Sequence, residues 1–229
     1  MSATATRRGE SPVGPQDPLS GRNALVTGPD TAVARAISQA LVASGARMLV
    51  AAPDGSAVGR DGSPVGRDGS PVGPDAAVSG PDASVAGPDV VEGRESGSGP
   101  LDLLVHVAAA PEAWSPAPAD HWTWAADGAL TSAAQLGRRF APLLAPGGAA
   151  VFVAVPPADP APAAVLDAGL AGLVRSLAVE VGPAGVRVNL VTGSDCADHP
   201  DQVAAAVLFL AGDRSAGVNA QTLRLGELR

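Results

Sequence analysis

Residues 23–52 read NALVTGPDTAVARAISQALVASGARMLVAA, and the apolar pattern changes period twice within them. Asn23 to Thr27 is a short apolar run that stops at Gly28, as a buried strand does. In Thr31 to Ser44, Val33, Ala36, Ile37, Ala40 and Leu41 recur at the spacing of one helix face, and Gly45 follows as a C-terminal stop. Arg47 to Ala52 is the next strand. Two strands joined by a helix must lie parallel, because a crossover of that length returns the chain to the same edge.

Working outward, the same alternation resumes at Leu101. Leu101 to Val107 reads as a central strand and Asp120 to Leu144 as a long helix with Pro142 near its end. Ala149 to Val155 reads as a strand, Ala163 to Val181 as a helix, and Val186 to Val191 as a strand. Gln202 to Ala211 then reads as a helix and Gln221 to Leu225 as a last strand. The expected class is α/β, with helices on both faces of a parallel sheet.

Two segments stand outside the pattern. Residues 1–20 carry Ser-Pro-Val-Gly-Pro and no periodicity, and read as a disordered arm ahead of one domain spanning 21–229. Asp54, Asp61, Asp68, Asp75, Asp82 and Asp89 recur every seven residues in copies that begin as Asp-Gly-Ser-Pro-Val-Gly-Arg. Gly and Pro in these copies oppose a coiled coil. One Asp per copy is too sparse for a calcium site. Residues 54–100 are therefore expected to be a flexible low-complexity insert.

Composition excludes several chemistries. Of 229 residues none is Tyr, and all 15 basic residues are Arg, so no Lys is present. Mechanisms built on a phenol, an ammonium or a Lys Schiff base are closed to this chain. A net charge of −8 opposes binding to nucleic acid or an anionic membrane. The single Cys196 excludes an internal disulfide and Cys-rich metal sites. No apolar run is long enough to span a bilayer, and Met1 to Glu10 lacks the apolar stretch of a secretory signal. The expectation is a cytoplasmic protein.

Gly172 to Asn189 (GLVRSLAVEVGPAGVRVN) resembles the helix, turn and Arg-Val-Asn strand of the short-chain dehydrogenase/reductase family. Pro200 to Leu225 (PDQVAAAVLFLAGDRSAGVNAQTLRL) is similar to that family's last helix and strand. The resemblance covers Gly21 to Pro53 and everything from Leu101 onward, roughly three quarters of the chain. It implies a Rossmann-like, three-layer, doubly wound parallel sheet.

The chemistry the resemblance implies is not carried by the matching residues. The family's loop Thr-Gly-x-x-x-Gly-x-Gly falls on Thr27 to Ala34, where Thr27 and Gly28 match but Ala32 and Ala34 replace glycines. A methyl at Ala32 intrudes where the backbone approaches a pyrophosphate, and Asp30 adds a negative charge there. The ribose-selecting position falls on Ala52, and the family's Asn-Asn-Ala-Gly reads His106 to Ala109. No cofactor is expected, with NAD(P) binding weak or absent. The catalytic Asn, Ser, Tyr and Lys fall on Ala129, Val155, Ala163 and Asp167. The substrate-covering loop after the sixth family strand shrinks to a few residues from Thr192-Gly193 to Pro200.

Some residues retain chemical capacity. His106, at the expected ligand edge, could act as acid/base with Asp167 or Glu112, or could bond a neighbouring carbonyl. Cys196 with Asp195, Asp198 and His199 offers a nucleophile or part of a metal cluster, against the simpler reading of a short loop. Trp114, Trp122 and Trp124 read as packing. In the best-matched helix, Ala168, Gly169, Ala171 and Gly172 permit close approach of a second helix, with Leu166, Leu170, Leu173 and Leu177 supplying apolar area.

The expected function is a catalytically inactive subunit that assembles with an active paralogue of this family, or with itself. The alternative is an enzyme with altered, non-redox chemistry of cyclase or isomerase type.

Overall fold

Asn23–Thr27 forms β1, and its inward residues are almost fully covered. The computed structural model describes residues 19–51, 57–58, 64–65, 101–109, 120–157 and 160–226. After β1, Thr31 caps α1 (Ala32–Ala43), its hydroxyl accepting a hydrogen bond from the Ala34 N–H. Val33, Ile37 and Leu41, one above another at helical spacing, are the buried residues of α1. Gly45 at φ +82 turns the chain into β2 (Arg47–Ala51), which pairs parallel to β1.

The remaining elements are β3 (Ala57–Val58), β4 (Pro64–Val65), β5 (Leu101–Ala109), α2 (Asp120–Phe140) and β6 (Leu144–Val155). They are followed by α3 (Pro160–Val181), β7 (Arg187–Thr192), α4 (Pro200–Ala211) and β8 (Thr222–Arg224). The sheet order is β4-β3-β2-β1-β5-β6-β7-β8. From β2 through β8 the neighbours are parallel, six strands in all, and β3 and β4 attach antiparallel beyond β2.

Two apolar layers cover the parallel sheet. Leu25, Leu104, Phe152 and Leu190 meet Leu166, Leu170, Val174 and Leu177 of α3 on one face. Val26, Val105, Val151 and Val191 meet α1 and α4 on the other, through Ile37, Leu41, Val203 and Val207. Alternate residues of each strand thus feed opposite layers, which is the three-layer Rossmann-like arrangement the alternation implied.

Several boundaries move from their sequence-based positions. The long helix ends at Phe140, a 3-10 turn over Ala141–Leu143 holds Pro142, and Leu144 opens β6 instead of closing α2. Strand β5 runs on to Ala109, past the expected stop at Val107, because β6 pairs with it through Val155. The N-terminal arm was expected to reach residue 20. Leu19 is instead 1% exposed in the α1 layer, and its N–H donates to Ser44 O at 3.2 Å.

Within the expected insert, Ala57–Val58 and Pro64–Val65 pair as antiparallel strands. They occupy equivalent places in successive seven-residue copies, and Pro64 sits on the outermost strand, where a missing donor is tolerated. The rest of the 54–100 expectation lies outside the described residues, as do Ala52 and Trp114.

Candidate functional site

In an open α/β sheet, ligands bind where the strand order reverses, here between β1 and β5. Thr27 closes β1 opposite His106 of β5. Gly28 follows at φ +123, and a Cβ there would come within 2.2 Å of Val107 O. Only glycine fits this contact between the β1 turn and β5. Along the turn, Asp30 pairs with Arg35 at 2.7 Å, so its charge is balanced within the first helical turn and not left bare as the sequence suggested. Thr31 Oγ1 accepts from Ala34 N at 3.1 Å, and Ala32 stands exposed at the first helical position.

His106 does not sit at the sheet edge as expected. It is 1% exposed, three residues inside the end of β5, with its ring edge-on to Phe152 at 5.9 Å. Nδ1 lies 3.0 Å from Thr27 Oγ1, and Thr27 Oγ1 lies 3.3 Å from Val105 O. If the hydroxyl donates its proton to that carbonyl, Nδ1–H donates to Oγ1, and Nε2 is a bare acceptor. Nε2 has no hydrogen-bond partner among the described residues. Burial lowers the His106 pKa to about 4, so the ring is neutral at pH 7. It is a core histidine; Asp167 bonds Arg224 instead, and Glu112 lies outside the described residues.

The positions that the resemblance assigns to the family's catalytic set fall on three elements. Ala129 of α2 is partly buried against the α3 layer, and Val155 ends β6, packed toward the opposite layer. Ala163 and Asp167 are one helical turn apart on α3. Asp167 Oδ2 bonds Arg224 Nη2 of β8 at 2.5 Å, with the Asp side chain 15% exposed and the Arg side chain 70% exposed. Asp167 Oδ1 is enclosed and has no partner among the described residues. Arg224 carried no signal in the sequence, because its contact with α3 joins residues 57 apart.

Beside this pair, Asp195, Cys196, His199, Gln202, Val203, Leu225 and Gly226 line a cleft of about 290 Å³. Cys196 is 1% exposed, and burial, then Asp195, then Asp167 push its thiol up to about 11. A thiol so protonated is no nucleophile near neutral pH. Among the described residues no group of three or more His, Cys, Asp or Glu is placed so that it could hold a metal ion. The short loop here is closed by contact. Leu225 N–H donates to Thr192 O at 2.7 Å, and a Cβ at Gly193 would meet Leu225 O at 1.9 Å.

The helix residues expected at an interface divide into two faces. Leu166, Leu170 and Leu177 are buried in their own subunit, at 1%, 0% and 3% exposure, and Leu173 packs partly buried against the same cluster. A Cβ at Gly169 would meet Leu130 of α2 at 2.6 Å, so this glycine serves the contact between α2 and α3. Leu166, Leu170 and Leu177 are thus spent on the chain's own core, while Leu173 and Gly169 stay partly exposed. Gly172 faces outward with open space around it, on a stripe with Val165, Ala168 and Val179 that the described residues do not cover.

Solved structures share this fold at low identity. BdcA (YjgI) from E. coli matches at 22% identity and TM-score 0.58, over 91% of this chain and 98% of that one. A short-chain dehydrogenase/reductase from Serratia marcescens matches at 18% and TM-score 0.59, over 91% and 97%. Enoyl-[acyl-carrier-protein] reductase (NADH) from Aquifex aeolicus VF5 matches at 19% and TM-score 0.59, over 90% and 95%. No curated protein matches the sequence. No described helix is long and apolar enough to cross a membrane. With the Rossmann-like sheet in place and a family model described as enoyl-(acyl carrier protein) reductase matching residues 29–197, the chain belongs to that family of short-chain dehydrogenases/reductases.

Proposed function

We propose that this chain is a non-catalytic member of its family that assembles with a catalytically complete relative, or with a second copy of itself, and reduces no carbonyl alone. The observation that carries the reading is Asp167. It stands where the family's lysine would, and its carboxylate is engaged by Arg224 of its own chain. Ala129, Val155 and Ala163 at the other matching positions can neither transfer a proton nor polarise a carbonyl. With no Tyr and no Lys in the sequence, no nearby residue substitutes for the missing pair.

The nucleotide loop supports the same reading. One first-turn N–H of α1 is already bonded to Thr31, and the Ala32 methyl stands at the helix start where a glycine would admit a pyrophosphate. These residues do not fit a dinucleotide well. Assembly is supported by the uncovered stripe of α3, where Gly172 and Ala168 let another helix approach and Val165 and Val179 offer apolar surface.

The test is an assay of the pure chain for NAD(P)H oxidation with carbonyl and enoyl-thioester substrates, beside affinity purification from the native cell. No turnover, and recovery of a complete family member or a homodimer, is the expected result. Turnover by the partner-free chain, or a monomer in every preparation, overturns the proposal.

A further inference from the structure

We propose that the Asp167–Arg224 ion pair is a strap that holds the end of β8 against α3 and keeps the cleft over Cys196 narrow. The two ends of β8 are held very unequally. Its start is pinned by Asn189, which accepts from Gln221 N at 3.1 Å, and by Asn219, which accepts from Val188 N at 2.8 Å. Ala220 N–H and Leu190 N–H add backbone bonds to Val188 O and Gln221 O. Its end has one backbone bond beyond the strand, Leu225 N to Thr192 O, and the Arg224 side chain.

β8 is three residues long, borders only β7 among the described strands, and is at most partly buried. A side-chain tie at Arg224 therefore acts together with the Leu225 N–H bond to Thr192 O in fixing where the following residues lie. Those residues, Leu225 and Gly226, are walls of the cleft that also holds Cys196. Asp167 lies close enough to the thiol for its charge to act on it. The carboxylate is mostly enclosed, has one oxygen without a partner, and depends on Arg224 for the other. Arg224 is mostly in solvent, so the strap is made at the surface, where water and salt compete for it. Release lets the Leu225–Gly226 wall move away from α4 and widens a cleft that already stands near the lower size limit of small-molecule sites.

Cys196 is the chain's single cysteine, so its modification by a soluble maleimide reports the opening directly. The intact wild-type chain labels slowly. Arg224→Gln and Asp167→Asn each raise the rate about fivefold, the size of a broken surface pair. High salt raises the wild-type rate and leaves both variants unchanged. Altered thiol electrostatics without opening gives a different pattern, since loss of the Arg224 cation disfavours the thiolate and slows labelling. A slower or unchanged Arg224→Gln overturns the strap. So does acceleration with the full urea dependence of global unfolding, because strap release exposes little surface.

Discussion

His106 and Thr27 show how one strand pair can carry a solution property. The imidazole is sealed between β1 and Phe152, Nε2 has no partner among the described residues, and burial drops its pKa from 6.5 to about 4. Because the neutral ring is the one that fits, the folded chain binds a proton less readily than the unfolded chain. The contribution to stability is complete above the unfolded value of 6.5, is lost as pH falls from there toward 4, and changes little below. The loss amounts to about 3 kcal/mol. Urea denaturation at pH 7 and pH 4.5 should show this fall, and His106→Asn should flatten it while being less stable at pH 7. An equally steep profile in the variant assigns the acid sensitivity to carboxylates instead.

At the scale of elements, α4 is fixed at its C-terminal end by two arginines. Arg187 of β7, 8% exposed, reaches Leu210 O at 2.8 Å, Ser215 O at 3.0 Å and Ser215 Oγ at 2.8 Å. Arg22 adds a bond to Ala211 O at 3.0 Å and an ion pair with Asp213. Both satisfy carbonyls that the helix leaves open and place positive charge at the negative end of its dipole. Burial and Arg22 lower the Arg187 pKa while Asp213 raises it, so a carboxylate at the surface end of the network offsets part of the cost of its two cations. Arg187→Ala should cost about 3 kcal/mol by leaving buried acceptors unpaired. Arg187→Lys should recover little, since one ammonium cannot span the same acceptors. Thermal denaturation of the two variants decides this, and a Lys variant near wild type shows that charge alone matters.

Helix α3 carries a second element-scale prediction through its two glycines. Gly169→Ala presses on Leu130 and should destabilise the single subunit by about 1 kcal/mol. Gly172→Leu meets open space and should leave the subunit at least as stable, because glycine is a poor helix former. Under the proposed function, Gly172→Leu instead blocks assembly by holding the neighbouring helix away. Sedimentation of each variant, alone and with its captured partner, separates the effects. Normal assembly of Gly172→Leu removes α3 as the docking face.

For the whole molecule, the fold is that of an oxidoreductase family, while the residues at its ligand edge are engaged with one another. Asp30 is paired with Arg35, Thr31 with the helix backbone, and Asp167 with Arg224. Titration calorimetry with NADPH and NADH should therefore give no saturable heat at micromolar ligand. Tight binding shows that Ala32 and the occupied N–H are accommodated, and makes the chain a nucleotide binder without the reductive step.

What the sequence by itself determined is periodic and local. Val33, Ile37 and Leu41 mark α1, the Val- and Leu-rich runs mark the parallel strands, and Gly28 and Gly45 mark the turns, each readable because backbone geometry repeats within a few residues. The absence of Tyr and Lys is also a property of sequence alone. Tertiary structure decided which face of each element is used. The α3 leucines, legible as a stripe, turned inward to the sheet, and the stripe of Val165, Ala168, Gly172 and Val179 was left outside. His106 moved from the rim into the core because β6 extends β5 past Val107. The Asp167–Arg224 pair and the closure of Gly193 against Leu225 O join residues tens of positions apart, and no local pattern encodes a contact that exists only once the sheet is assembled.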